Sequence, residues 1–142
     1  MAGEIVIGYD GSECADAALD TALDLAVALG APVVALYAAE PPNRGVGEEY
    51  REHLKALQEI GDEVTATARA RAAARGIELE THVVENKPTP ALAELAEQRG
   101  ARMIVVGTWS ERPLKGALLG SVPFKLLHRA TVPVLAVPVQ ED

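Results

Sequence analysis

The chain has 142 residues, 49% of them hydrophobic, and 13 Lys and Arg against 21 Asp and Glu give a formal charge of −8. That length is one ordinary domain with enough apolar material for a single core. The acidic balance argues against nucleic acid or an anionic membrane surface as the main partner, because both call for a basic face. Cys14 stands alone, which excludes a disulfide framework and a thiol metal cluster. The opening Met-Ala-Gly-Glu has neither the charged nor the long apolar region of a signal peptide, and no apolar run is long enough to span a bilayer. A soluble, cytoplasmic domain is expected.

Glu4 to Tyr9 is short, apolar and β-branched, and predicts a buried strand. Asp10-Gly11-Ser12 follows as a turn, with Ser12 placed as a helix N-cap and Glu13 and Asp16 placed for the helix dipole. Ala15, Ala18, Leu19, Ala22, Leu25, Ala26 and Leu29 then share one helical face. Asp16, Asp20 and Asp24 share another and read as a solvated face, and Gly30 ends the helix. Pro32 to Ala39 predicts a second strand, and the prolines and glycines of 40–47 predict a loop. Glu48 to Arg75 predicts a long helix closed by Gly76, with a stripe of Leu54, Leu57, Gly61, Val64 and Ala68. A glycine on the stripe itself predicts that a neighbour comes close at Gly61.

Ile77 to Val84 predicts the third strand, and Glu85-Asn86-Lys87 a turn. Thr89-Pro90 reads as N-cap and first residue of a helix whose Leu92, Leu95 and Ala96 face inward and which Gly100 closes. Ala101 to Val106 predicts a fourth strand, Ser121 to Arg129 a short helix and Val132 to Val139 a last strand. Strand and helix alternate throughout 1–142 with no linker or repeat. This implies right-handed crossovers and a single-domain, mostly parallel five-stranded sheet, doubly wound with helices on both faces. Ligands of such sheets bind beyond the carboxyl ends of the strands, where strand order reverses.

The stretch from Met103 to Pro123 carries the strongest chemical signal. An apolar run stops at Gly107, a polar loop follows, and Gly120-Ser121 opens a helix. A strand feeding a small-residue loop and then a helix N-terminus is a common way to hold phosphate on backbone N–H groups. It is not a Walker A element, because no lysine stands between Gly120 and Ser121. Nor does anything after the first strand read as a dinucleotide fingerprint. Three roles without a ligand stay open: Gly107 as a strand end, Gly120-Ser121 as a helix cap, and Asp10 as a cap for the first helix.

At these residues the chain resembles the universal stress protein family. The resemblance rests on Asp10-Gly11-Ser12, the strand-helix order, and Leu118-Leu119-Gly120-Ser121-Val122 leading to Val132-Pro133-Val134-Leu135-Ala136-Val137. The nucleotide-binding branch of that family carries Gly, two residues, Gly, nine residues, Gly-Ser/Thr. Gly107 and Gly120-Ser121 hold that register, and Ser110 replaces the second glycine. The resemblance implies a flavodoxin-like sheet of order 3-2-1-4-5 and ATP or AMP as ligand, with or without Mg2+. Adenine would lie near Tyr9, Asp10, Ser12 and Ala38. Ribose and phosphates would run along Gly107, Thr108, Ser110, Gly120, Ser121 and Val122. It also implies a homodimer through Val132–Val139, an apolar edge strand that needs covering.

The expected function is an adenine-nucleotide-binding regulatory protein of the stress response. Nothing supplies a general base or metal site for rapid hydrolysis, so at most a slow ATPase is expected. The alternative is a protein-interaction module of the same fold that contacts a partner through the Gly107–Ser121 loop. Lys115 or Arg112 could neutralise phosphate, and Trp109 could stack or pack on its own loop. Cys14 reads as a small buried thiol. His53, His82 and His128 have no metal-ligand spacing.

Overall fold

Short β-branched runs make the strands, and helices with small-residue stripes lie over them. The computed structural model describes residues 3–40, 47–108 and 121–139, with the Ser121 side chain excepted. The order is β1 (Ile5–Gly8), α1 (Glu13–Leu29), β2 (Val33–Ala38), α2 (Glu48–Ala73), β3 (Glu80–Val84), α3 (Pro88–Arg99), β4 (Met103–Gly107), α4 (Ser121–Arg129) and β5 (Val134–Val137). The five strands are parallel and lie in the order β3-β2-β1-β4-β5. The chain therefore builds outward from β1 in one direction, then crosses back to add β4 and β5. The reversal falls between β1 and β4, which pair Ile5 with Met103 and Ile7 with Val105.

Both faces of the sheet are covered. On one, Ile5, Ile7, Val33, Ala35 and Val105 pack under Ala18, Leu19, Ala22 and Leu23 of α1 and Ala68 and Ala72 of α2. On the other, Val6, Leu36, Ile104 and Val106 pack under Leu92 and Ala96 of α3 and Leu126 of α4. Successive residues of one strand serve opposite faces, so a doubly covered strand must be apolar throughout. Gly61 is the close approach its position on the stripe predicted. A Cβ there would sit 2.5 Å from Val83 Cγ1 and 3.0 Å from Tyr37 Cδ2. The Glu48–Ile60 part of α2 contains no buried residue.

Four local expectations are corrected. The acidic stripe of α1 is not a solvated face but a seam to α2. Arg71 Nε and Nη2 each donate to Asp20 at 2.8 Å, Arg75 donates to the Asp20 carbonyl at 3.0 Å, and Arg75 also pairs with Asp24. Leu29, assigned to the core face, is 40% exposed at the end of its helix. Helix α2 ends at Ala73, with Ala74 as cap, before it reaches Arg75. Helix α3 starts at Pro88 with Lys87 as its N-cap, so Thr89 and Pro90 are already helical. Both Pro88 and Pro90 suit the first turn, because its N–H groups have no internal acceptor. The chain uses the earlier one.

Candidate functional site

The site is built on the turn that leaves β1. Ser12 N donates to Asp10 Oδ1 at 2.9 Å, and Ser12 Oγ accepts from Ala15 N at 3.1 Å as the N-cap of α1. Gly11 has φ +82°, while the space around a Cβ there holds only ordinary contacts with Val64. Backbone conformation rather than crowding therefore calls for glycine. Asp10 spends one oxygen on this turn, yet the residue is exposed.

Tyr9 points the other way. Its N–H donates to the Leu36 carbonyl at 3.0 Å, and its phenol donates to Asp16 Oδ1 at 2.6 Å within the α1–α2 core. Burial, and then that hydrogen bond, push the phenol well above its ordinary range, so it stays protonated. Asp16 Oδ2 in turn lies 3.9 Å from Arg71.

A cleft opens at the carboxyl ends of β1 and β4, where the strand order reverses. Gly8, Leu36 and Val106 form its floor, and Asp10, Ser12 and Ala15 form the α1 side. Ala38, Pro88 and Leu92 line another side, and Gly107, Val122 and Pro123 the third. Its volume is about 120 Å³. Gly107 is glycine for a packing reason, since a Cβ there would stand 2.7 Å from the Cys14 carbonyl oxygen and 2.9 Å from its carbon. The first turn of α1 can lean on β4 only at a residue without a side chain. Cys14 is accordingly buried.

One residue further, Thr108 N donates to the Val137 carbonyl at 3.1 Å. Its hydroxyl is buried and has no hydrogen-bond partner among the described residues. Buried hydroxyls are rarely left so. Ser121 is the first residue of α4, so its N–H and that of Val122 are among those a helix leaves without internal acceptors.

Of the residues picked from sequence, Asp10, Ser12, Ala38, Gly107 and Val122 come together around this cleft, and Tyr9 borders it with its phenol turned away into the α1–α2 core. Thr108 adjoins it. Ser110 and Gly120 lie outside the described residues, as do Trp109, Arg112 and Lys115, and Ser121 is described only through its backbone. Sequence reasoning missed Gly8, Ala15, Leu36, Pro88, Leu92, Val106 and Pro123. Only the strand order brings these to one place, although the Pro88-Thr89-Pro90 run was a local sign that the α3 start is unusual. Among the described residues, no three His, Cys, Asp or Glu side chains are grouped to hold a metal ion.

The universal stress protein family profile matches residues 1–138. The chain belongs to the universal stress protein family. A universal stress protein of Methanocaldococcus jannaschii is 33% identical over 137 residues, covering 94% of this chain and 81% of the relative. A universal stress protein solved in complex with cAMP is 31% identical, with a TM-score of 0.70 over 96% of this chain and 98% of that one. The universal stress protein of Archaeoglobus fulgidus in complex with dAMP has a TM-score of 0.68 over 95% of this chain and 97% of that one. At 23% identity it speaks for the shared fold alone.

Proposed function

We propose that this universal stress protein binds an adenine nucleotide, ATP or AMP, in the cleft at the β1–β4 switch, as a cytoplasmic stress-response regulator with little catalytic power. The observation that carries the reading is the cleft's division into an apolar end and a donor-bearing end. Leu36, Ala38, Pro88 and Leu92 offer flat apolar contact beside the exposed carboxylate of Asp10, which can accept from the adenine amino group. The backbone at Gly107 and the start of α4 suits ribose and phosphate. The described volume of about 120 Å³ is well under the ~300 Å³ of a typical whole-ligand pocket. We infer that the base sits inside and that sugar and phosphates run out past Gly107 toward the start of α4. The 31%-identical relative solved with cAMP supports an adenine ligand. No observation favours the protein-contact reading of the loop.

The test is direct. Freshly purified protein is denatured and the supernatant run on a nucleotide column, and ATP and AMP are titrated calorimetrically with and without Mg2+. Co-purified adenine nucleotide or a binding isotherm is expected. No nucleotide and no heat would end the reading. Gly120→Val and Ser121→Ala should each weaken binding with the circular dichroism spectrum unchanged.

The protein is also proposed to be a homodimer through Val132–Val139. Strand β5 is a sheet edge, and Leu135 on it is 38% exposed. Such an edge can pair with its own copy across a two-fold axis.

A further inference from the structure

The two long walls of the cleft differ in chemistry. The α1 wall presents the Asp10 carboxylate. The α3 wall presents a proline ring and a leucine. Leu92 Cδ1 lies 3.0 Å from where a Cβ on Gly8 would stand, so it closes directly over the cleft floor. Leu36 and Val106 continue the apolar surface beneath it.

Helix starts usually turn free N–H groups outward, but this one has proline at its first and third positions. Ala91 N already donates to the Lys87 carbonyl at 3.1 Å. Thr89 N is the one first-turn N–H left over. Neither Pro88 nor Leu92 carries a side-chain donor or acceptor.

We propose that the α3 wall, through Pro88 and Leu92, selects against purines that carry a polar group at C2. This rests on the reading that an adenine nucleotide occupies the cleft. The pose proposed holds the base by its C6 amino group at Asp10, sends the sugar toward Gly107 and α4, and sets the C2 edge rather than the C8 edge on the α3 side. Adenine puts a C–H there and loses nothing. A 2-amino group put there loses its water and finds no side-chain acceptor on Pro88 or Leu92, and a buried donor without a partner is costly.

The probe is 2,6-diaminopurine riboside 5′-monophosphate, which keeps the phosphate and C6 amino group of AMP and adds only the 2-amino group. Calorimetric titration of the full chain should give binding about tenfold or more weaker than for AMP. Pro88→Ser places a hydroxyl on the wall at a half-buried position, and Leu92→Ala lets water reach it. In at least one of these variants the gap should narrow to about twofold, with the circular dichroism spectrum as a check on the fold. Equal affinity for the two ligands in the unmodified protein would overturn the proposal, and so would an unchanged gap in both variants. Failure of AMP itself to bind would remove the underlying reading and the selectivity with it.

Discussion

Gly107 is where two roles for one glycine can be told apart. A phosphate contact needs backbone access, whereas the packing described above needs room for the Cys14 backbone, 2.7 Å from the missing Cβ. Backbone cannot yield as a side-chain tip does. Gly107→Ala should therefore destabilise the fold by about 1–3 kcal/mol with no nucleotide present, read from urea unfolding. No change in the unfolding midpoint would refute the packing role. Asp10 can be divided in the same way. Asp10→Asn keeps an oxygen to accept from Ser12 N but loses the charge. Stability should stay within about 0.5 kcal/mol while affinity for AMP falls, measured by paired melting and titration. Asp10, Gly11 and Ser12 were legible in the sequence because caps and tight turns are local chemistry. The start of α3 was not, because Pro88 and Pro90 are each acceptable first residues and Thr89 is an acceptable cap. Nothing local ranks them.

Among the elements, α1 and α2 are joined by ion pairs as well as by alanines. Arg71 and Asp20 are more than 40% exposed, so solvent screens them and Arg71→Ala should cost only about 0.5–1 kcal/mol. Its signature should be pH dependence. Hydrogen bonds from Arg71 hold the Asp20 carboxyl below its ordinary value of 3.8. A depressed carboxyl gives stability that is present above the unfolded value and is lost as pH falls through the folded one. The stability gap between the unmodified protein and Arg71→Ala should thus be full at neutral pH and close below about pH 4. A gap that persists at low pH would assign the effect to packing of the arginine stem. The stripe Asp16, Asp20, Asp24 looked solvated because its arginine partners lie 51 to 55 residues along the chain. Helical periodicity marks a face and is silent about what covers it.

For the whole molecule, the doubly wound sheet was readable because alternating strand and helix patterns leave few topologies. The apolar wall of the cleft was not, since Leu36, Leu92 and Val106 look like ordinary core residues in their own segments. Only the order β3-β2-β1-β4-β5 brings them to the rim of one opening. The β5 edge of the sheet sets the prediction at this scale. Leu135→Glu should convert the proposed dimer to a monomer by light scattering at micromolar concentration, with the melting curve of the monomer retained. A mass unaffected by the substitution would exclude β5 as the contact.

The notch at Gly61 has a mechanical consequence. A side chain there would run into Val83 and Tyr37, so the sheet ridge seats in the helix at that one residue. It acts as a dowel. Helix α2 cannot slip by a turn, about 5.4 Å, without driving Leu57 or Gln58, or Val64 or Thr65, into the ridge. With axial travel blocked, the Glu48–Ile60 portion, about 20 Å long at 1.5 Å per residue and without a fully buried residue, can shift only by swinging. Any movement of its tip is a rotation about Gly61.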